Sequence, residues 1–379
     1  MPSLYRDRIN SLSRFQGGAF STTSFFLDTD KTHRTPKEIS LAVKNLLTEA
    51  RVRLAALDAA KEKKGSLEKD LAALESYCGL NMISEMPGRA IFACSGAGLW
   101  EVFELPKPPR DRLLFDHNPY IRPISMILDQ YRRFMVLVID RREARWYETF
   151  MGRISPLASL SSEVPKKVKS GLVGPEAKRV ERHVDALVHN HYKRAAQTTF
   201  DLLKKNGFAG LLLGGADGIH GDFETHLHSY VRDRIKGRLK AKPSDPLDKV
   251  LRESIELEQR INREEEDALL KKLVGEIEKG SRARSGIRDC LESLNKSEAQ
   301  TLVVTREFSS PGKTCPRCRL LYQDELRCPS CERKTETRPD IVDEAIEAAF
   351  HRNCEVKYVT APSRLDHYGK IGAFLRYKT

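Results

Sequence analysis

The chain lacks any apolar run near the ~18 residues needed to cross a bilayer, which excludes a helical membrane span. The stretch Met1 to Phe15 is polar with mixed charge and carries no apolar signal-peptide core. A cytoplasmic protein is therefore expected, with its eight cysteines in a reducing compartment where metal binding is favoured over disulfides. No Gly-x-Ser-x-Gly nucleophile elbow occurs. A phosphate-binding P-loop is missing too: Pro311-Gly312-Lys313-Thr314 ends like one, but the glycine required five residues before Gly312 is Glu307. Internal repeats and low-complexity tracts are absent, so 379 residues read as two or three independently cored domains. Acidic charge is in deficit, with 53 Asp and Glu against 65 Lys and Arg, a net +12 that favours a polyanionic partner.

Against these absences stands one strong local signal. Cys315-Pro-Arg-Cys318 and Cys328-Pro-Ser-Cys331 are separated by nine residues. Two such pairs can bring four thiolates around one tetrahedral Zn²⁺, and Pro316 and Pro329 stiffen the two turns. Two disulfides are the competing reading. Four sulfurs close the coordination shell and leave no position for water or substrate, so the expected ion is a structural zinc with no reaction of its own.

Hydrophobic periodicity places the elements. Ser21 to Leu27 reads as a strand, and Ile39, Val43, Leu46, Ala50, Leu54 and Leu57 form the apolar stripe of a helix that can pair with a second one over Leu67 to Tyr77. Arg89 to Ser95 and Leu99 to Leu105 read as strands flanking the Gly96-Ala97-Gly98 turn, and Pro106-Lys107-Pro108-Pro109 is an extended break. Phe134 to Ile139 suits a buried strand in a hairpin with Arg145 to Phe150. A loop follows over Ser159 to Gly174, and then a helix opens at Pro175 and runs to Asn206, ~30 residues and ~45 Å long. Gly210 to Leu213 is a further buried strand, and a charged helix over about 247 to 279 leads to a linker from Gly280 to Ser285. Helix Ile287 to Leu294, strand Thr301 to Thr305, the cysteine element, helix Ile341 to Phe350 and strand Glu355 to Val359 complete an α/β sandwich. The expected domains are 1–130, 131–280 and 285–379, with a ribbon over 309–338.

Three weaker constellations remain. Gly214-Gly215-Ala216-Asp217-Gly218 follows a buried strand and reads as a tight turn in preference to a phosphate cradle. His183, His189 and His191, then His220, His226 and His228, are spaced so that neighbours diverge on a helix; exposed polar side chains are expected. Basic residues are better organised. Lys166, Lys167 and Lys169 precede the long helix, and Lys178, Arg179 and Arg182 lie in its first turns, where positive charge opposes the macrodipole. Arg232, Arg234, Lys236, Arg238, Lys240 and Lys242 alternate, and would share one face of a strand. The cysteine element adds Arg317, Arg319, Arg327, Arg333 and Lys334. RNA-backbone contact accounts for this placement, with simple solubility left open.

The run Gly207-Phe-Ala-Gly-Leu-Leu-Leu-Gly-Gly-Ala-Asp217 after a long basic helix resembles the middle domain of the archaeal/eukaryotic class-1 release factor and Pelota family. Ser285 to Leu294 with Gln300 to Val304 resembles the start of that family's third domain, and Asp366 to Tyr377 its C-terminal end. The first 130 residues resemble the bacterial branch more loosely, through Tyr120-Ile-Arg-Pro123. The resemblance implies three α/β domains in a tRNA-like arrangement, the third carrying an inserted zinc ribbon. Two departures follow from it. Counting back without gaps from Phe200 puts Ser170-Gly171-Leu172 where a release factor carries its catalytic Gly-Gly-Gln, and the Asn-Ile-Lys-Ser tetrapeptide of codon reading is absent.

The resemblance therefore implies no catalytic residues and a tRNA mimic for the vacant ribosomal A site, as in bacterial hibernation factors of the Balon type. Lys166, Lys167, Lys169, Gly171, Lys178, Arg179, Arg182, Arg234, Arg238, Arg317 and Arg319 are the candidate contacts to ribosomal RNA. An elongation-type translational GTPase is a further candidate partner. Pelota-like rescue of stalled ribosomes, and a peptidyl-tRNA hydrolase with a replaced tip, stay open beside that reading.

Overall fold

The computed structural model of the chain describes residues 2–80, 86–165 and 175–377. It divides into two compact units, Met1–Gln130 with Asp267–Thr379, and Tyr131–Glu266. Both are built from α/β layers.

In the first unit, helix α1 (Pro2–Ser13) precedes strand β1 (Thr22–Asp28) and helix α2 (Pro36–Ala56). Helix α2 starts where its sequence dictates. The Thr35 hydroxyl accepts from the Glu38 N–H, the Glu38 carboxylate accepts from the Thr35 N–H, and Pro36 fills the first turn. The buried stripe is Ile39, Val43, Leu47, Ala50 and Leu54, with the expected Leu46 and Leu57 at its margin. Helix α3 (Lys61–Leu80) pairs with it through Leu67, Leu71 and Leu74. Strands β2 (Gly88–Cys94), β3 (Leu99–Leu105) and β4 (Arg112–Asp116) join β1 in an antiparallel sheet of order β3-β2-β1-β4, followed by helix α4 (Arg122–Gln130).

Alternate residues of this sheet enter opposite layers. Phe25, Leu27 and Ile91 pack against α2 and α3, while Phe26, Ala90 and Phe92 pack with Ile9 and Leu12 of α1 and Ile124 of α4. Both faces are covered, which is why β1 reads as an unbroken buried run. The sequence pattern carries no clear sign of α1, β4 or α4: the apolar clusters Leu113 to Phe115 of β4 and Ile124 to Leu128 of α4 are too short to show a period.

The second unit is a five-stranded mixed sheet among the described residues. Strands β5 (Phe134–Ile139), β6 (Glu143–Phe150) and β7 (Arg153–Ser161) run antiparallel. Helix α5 (Pro175–Asn206) returns the chain to β8 (Gly210–Gly214), parallel to β5. Short helices α6 (Asp217–Glu224) and α7 (Ser229–Arg232) lead to edge strand β9 (Ile235–Leu239), and α8 (Leu247–Glu278) follows. Strand β7 takes the start of what was expected as a loop: it is an edge strand whose side chains are all exposed or half-buried, so no apolar alternation marks it. On β5, Met135, Leu137 and Ile139 face Val184, Val188 and Tyr192 of α5, and Phe134, Val136 and Val138 face Val250, Leu257 and Ile261 of α8. Trp146 is fully buried, and its Nε1–H donates to Thr199 Oγ1 at 3.0 Å, so its one polar atom is not stranded.

The first unit continues with β10 (Ala283–Ser285), α9 (Ile287–Asn295), β11 (Ala299–Thr305), the small strands β12 (Gly312–Thr314), β13 (Leu321–Tyr322) and β14 (Glu336–Arg338), then α10 (Ile341–His351), β15 (Glu355–Val359) and β16 (Ile371–Leu375). The expected linker from Gly280 to Ser285 thus ends in a strand, held by three residue pairs with β16. Strands order as β10-β16-β11-β15, with only β11 and β15 parallel among the described pairs. Helices α9 and α10 cover one face, and Leu270 and Leu273 of α8 pack with Val303 and Val359 on the other.

A buried charge ties the N-terminal sheet of this unit to its C-terminal part. Arg122, opening α4, is nearly sealed from solvent and reaches Asp343 at 2.8 Å and Asp340 at 3.2 Å. Its Nη2 also donates to the carbonyls of Phe308 at 2.6 Å and Arg306 at 3.0 Å. The guanidinium is therefore satisfied by two carboxylates and two backbone oxygens, the condition for burying such a group. Ser125 to Tyr358 at 2.6 Å and Lys357 to Asp129 at 3.0 Å extend the junction.

Candidate metal centre and nucleic-acid interface

Strands β13-β12-β14 form a small antiparallel sheet inserted between β11 and α10. Gly312 is required there, since a Cβ would lie 2.5 Å from Cβ of Ile341. The two cysteine turns repeat one geometry. In the first, the Cys315 N–H donates to the Leu320 carbonyl and the Arg319 N–H to the Cys315 carbonyl, both at 2.9 Å, with Arg319 at φ 56°. In the second, the Cys328 N–H donates to the Arg333 carbonyl at 2.9 Å and the Glu332 N–H to the Cys328 carbonyl at 2.7 Å, with Glu332 at φ 61°. Each turn points its two thiols to one side, and Sγ of Cys315, Cys318, Cys328 and Cys331 all lie within 4.8 Å of one another.

None of the four is in a disulfide; Cys315 and Cys331 approach to 3.5 Å between sulfurs. A tetrahedral ion with bonds of ~2.3 Å needs sulfurs ~3.8 Å apart, so the cluster fits such an ion with little adjustment. The four cysteines could hold a metal ion. Burial opposes ionisation of Cys328, but the Tyr322 hydroxyl at 3.3 Å and the N–H groups of Ser330 and Cys331 outweigh it and bring the thiol down to about 6. The sequence reading missed Tyr322. It is brought to Cys328 by the pairing of Lys313 with Tyr322 across β12 and β13, which no spacing rule announces.

Candidate RNA contacts fall into three groups. Lys166, Lys167, Lys169 and Gly171 lie outside the described residues. Lys178, Arg179 and Arg182 are exposed on the first turns of α5, where Arg182 Nε donates to the Lys178 carbonyl at 3.2 Å. Arg317 and Arg319 are exposed on the cysteine ribbon and, with Arg333, form no ion pair with a described residue. The alternating basic run is a strand only at its centre. Lys236 and Arg238 share the exposed face of β9, while Arg232 ends α7 and Lys240 and Lys242 follow the strand. Three of these charges are already engaged: Arg238 forks onto Glu224 Oε1 at 2.7 and 3.0 Å, Lys236 pairs with Glu265 at 3.6 Å, and Arg234 lies over the Tyr230 ring at 4.2 Å.

The histidines correct one expectation. His191 and His220 are buried, because each turns from its helix toward the sheet; only His183, His189 and His228 are well exposed. His191 Nδ1 meets the Ser162 hydroxyl at 2.8 Å, and burial lowers its pKa, keeping the ring neutral. His189 and His226, from α5 and the α6–α7 turn, meet at 2.9 Å between ring nitrogens. The glycine cluster is a packing turn. A Cβ on Gly214 would lie 2.7 Å from Val138 Cγ1, and one on Gly215 2.8 Å from the Ile139 carbonyl. At Gly312-Lys313-Thr314 the chain is strand, not the helix start of a P-loop.

Residues 119–259 match the family described as bacterial archaeo-eukaryotic release factor family 10. Peptide chain release factor subunit 1 of Methanosphaera stadtmanae is 25% identical over 288 residues, spanning 69% of this chain and 70% of its own. That of Archaeoglobus fulgidus is 24% identical over 302 residues, spanning 73% and 74%. Among solved structures, Saccharomyces cerevisiae Dom34, a translation termination-like factor, aligns over 77% of this chain and 80% of its own with 9% identity and a TM-score of 0.43. The chain is homologous to archaeal peptide chain release factors and carries, over residues 119–259, the sequence pattern of bacterial archaeo-eukaryotic release factor family 10.

Proposed function

We propose that this protein is a non-catalytic ribosome-binding factor that occupies the A site as a tRNA mimic and acts in ribosome hibernation. The reading rests on Leu172, which an ungapped count back from Phe200 puts where the release factors this chain resembles carry the glutamine that positions water at the peptidyl-tRNA ester. Leucine offers neither donor nor acceptor, so a chain with release-factor ancestry retains the binding body without the hydrolytic group.

In this reading the three sections 1–130, 131–280 and 285–379 take separate tasks. The first approaches the decoding centre. Lys166, Lys167, Lys169 and Gly171 carry the tip toward the peptidyl-transferase centre, and Lys178, Arg179 and Arg182 neutralise ribosomal RNA phosphates beside it. Arg234 and Arg238 contribute from β9. The third section faces the factor-binding side, where an elongation-type GTPase would dock, and Arg317 and Arg319 of the ribbon supply a rim contact. The bound metal is Zn²⁺, held by Cys315, Cys318, Cys328 and Cys331 in a structural role. The basic, exposed start of α5 supports phosphate contact.

The test is two assays on purified protein and one in cells. It should co-sediment with vacant ribosomes, release no peptide from ribosomes loaded with peptidyl-tRNA, and associate in starved cells with idle ribosomes. Peptide release would contradict the non-catalytic reading, and accumulation on mRNA-stalled ribosomes would replace hibernation with rescue.

A further inference from the structure

Beside the Arg122 junction, the first unit holds a cleft of about 560 Å³, within the size range of small-molecule sites. Its walls come from five separate segments: Phe26 of β1, the stretch leading into β4, the α4 region, the residues after β11, and Asp340 before α10. Lys107, Arg112 and Arg306 bring positive charge to it. Arg122 and Arg110, also at the cleft, are matched by Asp340 and Glu307. Arg112 and Arg306 have no such match: no described carboxylate lies within 4.0 Å of either guanidinium.

Arg306 Nη1 donates to Gln130 Oε1 at 3.0 Å, but its Nε is shielded from solvent and has no hydrogen-bond partner. A buried donor left in this way calls for an absent acceptor. Lys107 reaches the same Gln130 oxygen at 3.4 Å, and burial with the nearby Arg306 charge lowers its pKa. Two cations held around one neutral amide are mutually repulsive, and an anion between them would relieve this. Phe26, Tyr120, Pro109 and Met126 add an apolar wall beside the charges. Guanidinium groups take phosphate oxygens in a fork, and flat aromatic and proline surfaces take a ring.

We propose that this cleft binds a nucleoside polyphosphate, with the phosphates between Lys107, Arg112 and Arg306 and the base against the Tyr120 side. The site needs no ribosome, so it is tested apart from A-site binding. Calorimetric titration of the full chain with GTP, ATP and inorganic triphosphate is the experiment. At least one nucleoside triphosphate should bind, with inorganic triphosphate at least tenfold weaker because it leaves the apolar wall unused. Arg112→Glu, on an exposed residue, and Arg306→Gln should each weaken binding at least tenfold, with an unfolding midpoint close to that of the parent. Lys178→Glu, on α5, should leave it unchanged.

The proposal is overturned if neither nucleotide binds at millimolar concentration, if both arginine variants bind as the parent does, or if inorganic triphosphate matches the nucleotides. Loss of ribosome binding in Arg112→Glu without any nucleotide binding would also overturn it, making the cleft an RNA contact.

Discussion

The cysteine ribbon and the Arg122 junction lie in the same unit and are organised in opposite ways. The ribbon collects its four thiols within seventeen consecutive positions, 315–331, through two copies of one turn. The junction collects its partners from α4, the end of β11 and the start of α10, with Arg122 and Asp343 separated by 221 positions. One is a local device whose spacing is its own signature. The other exists only once two sheets have formed, and its charges give no periodic pattern in the chain. Both bring separate side chains together, but the ribbon's four thiols could hold a metal ion for that purpose whereas the junction supplies its own countercharges.

Breaking the ribbon should have the largest effect. Structural zinc contributes roughly 10–16 kcal/mol of apparent binding energy to isolated finger-type modules. Cys315→Ser or Cys331→Ser should therefore lose one metal equivalent by mass spectrometry and expose segment 309–338 to protease. The rest of the unit should remain folded, because apart from Leu321 its core residues lie outside the ribbon. A ribbon that stays protected without metal would show that its fold rests on the strands alone.

The junction comes next. Arg122→Ala strands Asp343 and two backbone carbonyls in a buried site, and should cost about 3–5 kcal/mol in urea unfolding. Arg122→Met with Asp343→Leu should recover much of that loss, since paired removal leaves no buried charge alone. Equal losses in both variants would mean that packing, not charge, holds the junction.

This contrast also explains what could be read from the chain. The cysteine set, the stripe of α2, the bounds of α5 at Pro175 and Asn206, and the buried strands β5 and β8 were legible because each is written in neighbouring residues. Strands β4, β7 and β10 were not, since edge strands with mixed exposure carry no clean alternation. The histidine expectation failed for the same reason: burial of His191 depends on which face of α5 meets the sheet, and sequence spacing does not settle that for a polar residue. Arg122 stands out in the sequence only within a short resemblance, and position alone does not reveal its partners.

A smaller effect separates buried charge with and without a partner. Glu258, packed under β6 with the Thr149 hydroxyl at 2.5 Å, is pushed by burial from the ordinary 4.5 up to about 7. The folded state therefore holds its proton where the unfolded chain has lost it. Stability from this group is full below pH 4.5 and declines as pH rises to 7. Glu258→Gln should match the parent near pH 4 and exceed it by on the order of 3 kcal/mol or less at pH 8, read from urea midpoints. A constant difference across that range would place the ionisation elsewhere.

Smallest per residue are the exposed cations. Lys178→Glu, Arg179→Glu and Arg182→Glu should each weaken ribosome binding several-fold, with a steep loss of parent affinity as salt rises. A salt-insensitive complex would remove phosphate contact from the account.

The most direct test of that account is cryo-electron microscopy of the full chain bound to vacant ribosomes. The expected result is density filling the A site, with segment 166–174 directed at the peptidyl-transferase centre and the ribbon on the factor-binding side. Density elsewhere on the ribosome, or particles that carry none at saturating protein, would contradict it.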